Sequence, residues 1–251
     1  MNPDLELALA MADDADAITL RHFQSSTLSV RTKVDSTPVS EADEAVERGI
    51  RERLERERPE DSIVGEEFGR TGSAARAWII DPIDATKNYV RGIPVYATLI
   101  GLVENDRPVA GVVSAPAMSR RWWASKGGGA FCNGRRTRVS AVDDLAAAQV
   151  AYDSVTDFDR HGQTDAFLRL VRRSARARGF GDFWIHMLVA EGAIEIAVEP
   201  EVAPWDMAAV QIIVEEAGGR FTDLRGRPRY DGGSALSTNG LLHDAVLEHF
   251  R

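Results

Sequence analysis

Residues 78–89 read Trp-Ile-Ile-Asp-Pro-Ile-Asp-Ala-Thr-Lys-Asn-Tyr, and they restrict what this chain can fold into more than any other stretch. Trp78, Ile79 and Ile80 form a short aromatic and β-branched run bounded by turn formers, which predicts a buried strand. Asp81 is expected to end that strand and Pro82 to stop its ladder, because proline has no N–H to donate. Asp81 and Asp84 would then leave the sheet edge together on a turn. The backbone N–H groups of Ala85, Thr86 and Lys87 follow, with a cationic side chain at Lys87. Carboxylates bind hard divalent cations, and successive N–H groups beside them cradle phosphate. On these residues alone a plain strand-ending turn competes with that reading, since Asp and Pro are both common turn formers.

The flanking chain adds acids at comparable places. Leu5, Leu9, Ala12, Ala15, Leu20 and Phe23 recur at helical spacing and predict an amphipathic helix over residues 5–23. Residues 25–33 read as extended. Ser40 is suited to cap a second helix, with Glu41 and Asp43 in its first turn and Ala42, Val46, Ile50 and Leu54 as its buried stripe. Taken alone, Asp43 reads as a capping-box carboxylate. Residues 62–64 predict a strand ending in Gly65-Glu66-Glu67, a loop and a return strand ahead of Asp81. Residues 69–77 are small and polar and are expected to form a mobile flap.

Residues 95–104 and 109–115 predict a hairpin joined through Asn105-Asp106-Arg107-Pro108. Residues 122–125 continue an antiparallel sheet, with Trp122 and Trp123 expected in core or interface packing, and Gly127 to Gly129 turn into Ala130 and Phe131. Residues 138–145 carry no strong pattern. They divide an N-terminal α+β part (1–142), which holds most of the acids, from a C-terminal α/β part (143–251). In the latter, strands at 149–152, 177–180 and 193–198 alternate with helices at 164–171 and 183–191, which points to a more parallel half. Pro204-Trp205-Asp206 introduces a helix over 207–217 that Gly218-Gly219 closes. Asp206 there reads as an N-cap when taken alone. Residues 221–222 and 235–237 predict closing strands, and 241–250 a last helix.

A net charge of −9 argues against nucleic acid as the main partner, since phosphate backbones demand basic patches. It leaves room for a small anion, because a bound metal reverses the local sign. The single cysteine, Cys132, suits a reducing compartment. No basic and apolar leader and no membrane-length apolar run is visible, so a cytoplasmic protein without a membrane partner is expected.

Glu66, Asp81, Asp84 and Asp206 share one address: each follows a strand or opens a helix. Converging carboxylates repel and are compensated most simply by divalent cations. With only oxygen donors, and no His or Cys at metal-binding spacing, Mg²⁺ is favoured over Zn²⁺.

These motifs, in this order, resemble the inositol monophosphatase family: 37–43 (Thr-Pro-Val-Ser-Glu-Ala-Asp), Gly65-Glu66-Glu67, 78–89, and Trp205-Asp206 followed by Ala217-Gly218-Gly219. The resemblance covers nearly the whole chain. It implies a layered α/β fold of the sugar-phosphatase type, with alternating helix and sheet layers. It also implies a Mg²⁺-dependent phosphomonoesterase that holds two or three ions and forms a homodimer. By matching position, Glu66, Asp81, the Ile83 carbonyl, Asp84 and Asp206 are the implied metal ligands. Thr86, backed by Asp43, is implied to orient and deprotonate the attacking water, and Glu66 belongs to the same catalytic set. The N–H groups of Ala85 and Thr86 are implied to hold phosphate. Lys33 matches a basic position near the site whose role stays open. One departure is Ala85, where the family usually has glycine. Alanine is strained by about 1 kcal/mol if the position needs a positive φ, and the expectation is that it only presents an N–H at a helix start.

Within the family, residues 84–92 followed by Pro94-Val95-Tyr96 most resemble the histidinol-phosphate phosphatases, as do 120–124 and Gly181-Asp182-Phe183. An ammonium and an imidazole on the substrate would favour carboxylates opposite the phosphate. Asp182 and Glu199 are the candidates, with Asp206 beside them, although either also reads as a solvated loop acid. Inositol phosphate is the alternative substrate, and a catalytically impaired metal-binding homologue the alternative to an enzyme.

Overall fold

The computed structural model describes residues 2–33 and 37–251. The elements run α1 (Pro3–His22), β1 (Val30–Thr32), β2 (Pro38–Ser40), α2 (Glu41–Glu57), β3 (Ser62–Gly65), β4 (Gly69–Thr71) and β5 (Arg76–Asp84). They continue with α3 (Thr86–Val90), β6 (Ala97–Glu104), β7 (Arg107–Ala115), β8 (Arg120–Ser125), β9 (Gly129–Cys132) and β10 (Arg135–Arg136). Next come β11 (Gln149–Tyr152), α4 (Val155–Arg160), α5 (Thr164–Arg173), β12 (Arg176–Gly179), α6 (Asp182–Ala190) and β13 (Ile196–Glu199). The last elements are α7 (Pro204–Glu216), β14 (Arg220–Thr222), β15 (Ala235–Thr238) and α8 (His243–Leu247).

Two large sheets organise these elements. The first has eight strands in the order β10-β9-β8-β7-β6-β5-β3-β4 and is antiparallel except where β3 and β5 run parallel. The second has five strands in the order β12-β11-β13-β15-β14, parallel across β12, β11 and β13 and antiparallel beyond. The C-terminal half is therefore mixed rather than simply parallel.

Period-two patterning decides which helices cover which face. Trp78, Ile80, Ile100 and Leu102 point to α1 and α2, where they join Leu5, Met11, Val46 and Leu54. On the opposite face Leu99, Val113 and Trp122 meet Met207, Val210 and Ile213 of α7 and Phe183 of α6. Beyond α6 and α7 lies the second sheet, whose far face packs Val150, Ile196 and Leu236 against Phe158, Phe167, Leu170 and Val246 of α4, α5 and α8. Helix and sheet layers thus alternate through the molecule. Trp122 is fully buried in this core, and Trp123 stacks on Phe131.

Helix α7 approaches the first sheet closely, and glycine makes that possible. Gly101 on β6 pairs with Gly111 on β7 directly beneath the helix. A Cβ on Gly101 would stand 2.9 Å from the Ala209 backbone nitrogen, and one on Gly111 2.8 Å from the Ala209 carbonyl oxygen.

Several expectations change. Pro82 does not stop the strand: β5 continues to Asp84 through a bulge, and the Pro82 carbonyl accepts a hydrogen bond from Thr98 Oγ1 at 2.8 Å. A bulge removes the demand for an N–H at that position, which is why proline fits. The flap expected over 69–77 begins as strand β4, paired with β3. Asn105 and Asp106 alone turn the β6–β7 hairpin, both at positive φ, and Pro108 lies within β7 beside an irregularity in the pairing. Only residues 30–32 of the extended segment form a strand. Helix α7 begins at Pro204, and α4 is an element the sequence reading lacked.

Gly101→Ala should cost about 2–3 kcal/mol through overpacking against α7. Thermal unfolding followed by circular dichroism is expected to show a melting temperature lower by about 5–10 °C.

Candidate active site

The parallel pairing of β3 with β5 sends the chain out of both strands at the same end of the sheet. Glu66 follows β3 there, and Asp81 and Asp84 occupy the last part of β5. The bulge turns both aspartates toward the N-terminus of α7, where Asp206 is the third helical residue. Asp206 caps from inside the helix rather than as the N-cap, its Oδ2 accepting the Ala203 N–H at 2.7 Å. Asp84 Oδ2 accepts the Phe183 N–H at 2.8 Å from the first turn of α6. Carboxylate oxygens of Asp81, Asp84 and Asp206 lie within 4.8 Å of one another.

Such crowding carries an electrostatic cost. Burial, then the charges of Glu66, Asp84 and Asp206, push the Asp81 carboxyl well above the usual range. Burial and the Asp206 charge do the same to Asp84, and Asp206 itself is pushed up to about 7 by burial and by Glu66. Asp81 Oδ1 is buried with no hydrogen-bond partner. A cation fits this arrangement: it would occupy the orphaned oxygen and relieve the repulsion, and three hard oxygen donors suit Mg²⁺. Glu66 lines the same cleft, with its Oε1 2.7 Å from Lys33 Nζ. Lys33 also bonds Glu67 Oε1 at 2.6 Å and so neutralises this corner.

Helix α3 opens beside the cluster. Thr86 Oγ1 lies 3.2 Å from Asp43 Oδ1 and 2.9 Å from the Ile83 carbonyl oxygen. Asp43 performs the capping role as well, its Oδ2 accepting the Ser40 N–H at 2.8 Å and the Ser40 hydroxyl at 2.5 Å. The capping contact and the Thr86 contact thus use separate oxygens of one carboxylate. Burial, and more weakly the Glu66 charge, raise its pKa. Ala85 corrects an expectation: it stands at φ 65°, ψ 43°, the left-handed region, rather than in an ordinary helix start. The turn from the bulge into α3 demands that conformation, so alanine is strained where glycine would not be.

The cleft above these groups has a volume of about 370 Å³ and is also lined by Lys87, Asn88, Asp153, Asp182 and Trp205. Asp182 opens α6 at φ 51° and accepts a hydrogen bond from Asn88 Nδ2 at 3.3 Å. Burial, followed by the charges of Asp84 and Asp153, lifts its pKa to about 8. Asp153 escaped the sequence reading, and its signal was an acid just past the C-terminal end of a parallel strand, where α/β sheets place ligands.

Glu199 does not line the cleft. It ends β13 with its carboxyl buried, 2.6 Å from His186 Nε2, while His186 Nδ1 is 2.7 Å from Ser237 Oγ. Burial lowers the His186 pKa to about 3 and raises that of Glu199 well above its ordinary value. Burial thus disfavours the charged form of both groups.

The family model for the inositol monophosphatase family matches residues 1–251. A histidinol-phosphatase from Streptomyces coelicolor is 52% identical over 97% of this chain and 95% of its own length. One from Mycobacterium tuberculosis is 51% identical over 97% of this chain and 96% of its own. A solved inositol monophosphatase from Thermotoga maritima superposes with a TM-score of 0.88 at 32% identity, covering 99% of this chain and 96% of that one.

The chain belongs to the inositol monophosphatase family. Its fold is the layered α/β arrangement shared with that family's solved structures. No helix among the described residues is long and apolar enough to cross a membrane.

Two measurements test this electrostatic account. In metal-free protein the folded state keeps protons on Asp206 and Asp182 that the unfolded chain has already released, so stability falls as pH rises toward their folded values. Between about pH 7.5 and 8.5, above the ordinary histidine pKa of about 6.5, melting temperature in EDTA is expected to drop with rising pH. Saturating Mg²⁺ should flatten the trend and release protons on binding. Separately, Ala85→Gly should relieve left-handed strain and raise stability by up to about 1 kcal/mol, read as a melting temperature higher by about 2–4 °C.

Proposed function

We propose that this protein is a Mg²⁺-dependent phosphomonoesterase that hydrolyses L-histidinol phosphate to L-histidinol and phosphate, a step of histidine biosynthesis. One observation carries the reading. The Asp81, Asp84 and Asp206 carboxylates converge beside the Thr86–Asp43 pair, at the floor of a cleft whose wall carries a further carboxylate, Asp182. The names of the Streptomyces and Mycobacterium relatives support the substrate choice.

Glu66, Asp81, the Ile83 carbonyl, Asp84 and Asp206 would hold two or three Mg²⁺ ions. When bound, the metal would lower the pKa of water and neutralise charge on the phosphate oxygens. No side-chain nucleophile is then required. The Thr86 hydroxyl accepts a hydrogen bond from the attacking water while donating its own proton toward Asp43 Oδ1. The raised pKa of Asp43 makes it the stronger acceptor for that proton. Water adds to phosphorus as the ester P–O bond breaks, the departing histidinol oxygen takes a proton from solvent water, and the N–H groups of Ala85 and Thr86 hold the phosphate. Asp182 faces the ammonium or imidazolium of the substrate, whose charge would draw it into its ionised form. Glu199, bonded to His186 and outside the cleft lining, is left out of this substrate set. We further read the protein as a cytoplasmic homodimer whose parts, 1–142 and 143–251, contribute separately to the site.

A second reading, hydrolysis of inositol phosphate, is favoured by one feature. Burial and the charges of Asp84 and Asp153 favour the protonated form of Asp182, which would donate to a hydroxyl.

Phosphate release should be measured with Mg²⁺ on L-histidinol phosphate and myo-inositol 1-phosphate side by side. We expect kcat/KM to favour histidinol phosphate at least tenfold, about 1.4 kcal/mol of transition-state binding. Asp182→Asn is expected to erase most of that preference while leaving the inositol ester little changed. Preference for the inositol ester would reject the substrate and keep the site. Hydrolysis of neither would favour a metal-binding homologue without turnover.

A further inference from the structure

Helix α2 carries a polar seam that the chemistry above uses only at one end. Asp43, Glu47 and Arg51 recur at four-residue spacing and so lie above one another on one face. Asp43 and Glu47 are 0% exposed and Arg51 9%. Asp43 meets the Thr86 hydroxyl. One turn further on, the Glu47 carboxylate accepts the Glu67 N–H at 2.7 Å, the Phe68 N–H at 3.1 Å and Arg51 Nε at 2.7 Å. Arg51 extends the grip, donating through Nη1 to Thr71 Oγ1 at 3.0 Å and through Nη2 to the Gly69 carbonyl.

Apart from the Glu47–Arg51 pair itself, these contacts all fall on the β3–β4 hairpin, whose turn presents Glu66. Strand pairing carries that turn only as far as the Glu66 N–H, which donates to the Ile80 carbonyl at 3.2 Å. The next two N–H groups, where the chain leaves the sheet, belong to Glu47. The fit is so close that Gly65 has no room for a side chain, since a Cβ there would stand 2.0 Å from Glu47 Oε1. A buried ion pair is a poor source of stability compared with packed apolar side chains. Holding a hairpin turn does not require one.

We propose that Glu47, backed by Arg51, is a positioning residue that sets Glu66 against Asp81, so that α2 registers the Glu66 turn and the Thr86 turn on one rigid rod. The proposal rests on the reading of Glu66 as a metal ligand. Residues that orient ligands in this way commonly change metal affinity by about 10–100-fold when replaced.

The test is calorimetric titration of the full chain with Mg²⁺, with melting followed in parallel, on Glu47→Gln, on the double variant Glu47→Met/Arg51→Met, and on Glu66→Gln as the reference. The double variant exchanges the ion pair for apolar volume but strands the Glu67 and Phe68 N–H groups, so it is expected to stay folded and melt below wild type. Both Glu47 variants should bind Mg²⁺ at least about tenfold more weakly, with kcat at saturating Mg²⁺ falling by less than about threefold. Should either variant not fold, Glu47→Asp, which keeps the charge and withdraws it by one methylene, is measured in the same way. Wild-type affinity in folded Glu47 variants, with weakened binding in Glu66→Gln, overturns the positioning role and leaves the ligand reading intact. Wild-type affinity in Glu66→Gln removes the ligand reading, and the proposal with it.

Discussion

The contact between α7 and the first sheet is the constraint on which the site depends. Gly101 and Gly111 let the backbone around Ala208 and Ala209 come within side-chain distance of β6 and β7. Because a helix is stiff over a few turns, that contact also fixes its N-terminus, and Asp206 lies in the first turn. Asp81 and Asp84 are fixed by β5, which pairs with β6 in the same sheet. The separation of the three carboxylates is thus inherited from main-chain packing. Flexible side chains left to themselves would move apart.

That rigidity explains why the repulsion persists. Each acid is held by something other than a counter-charge: Asp84 by the Phe183 N–H, Asp206 by the Ala203 N–H, Asp81 by its place in a strand. The protein answers the excess charge with raised pKa values rather than with arginine partners. Lys33 lies only at the Glu66 corner, where it can compensate without filling the centre. An environment that leaves Asp81 Oδ1 unpartnered while keeping its neighbours ordered suits a hard cation of small radius.

Much of this was legible in the sequence. Period-two and helical patterning placed most strands and helices, because each has one face against a core, and the motifs around Asp81 and Asp206 pointed to one cleft. What stayed hidden depended on tertiary context. Pro82 reads as a strand breaker until the bulge and the Thr98 hydroxyl are seen to absorb it. Ala85 reads as an unremarkable helix start, since a side chain's identity does not announce the φ its neighbours impose. Glu47 drew no reading from the sequence, although its spacing from Asp43 was the available clue. Asp153 and the His186–Glu199–Ser237 chain depend on which strand ends meet in space, and composition carries no trace of that.

The placement of Asp206 relative to Asp84 has a topological consequence. Roughly half the chain lies between them, including all of α4, α5, α6 and three strands of the second sheet. An ion shared by the two residues would act as a removable cross-link closing one very long loop. Because it binds only where folding brings both carboxylates together, it would add its binding free energy to the stability of the folded state. The cation would therefore serve as a clasp between the end of β5 and the first turn of α7, in addition to its part in the chemistry.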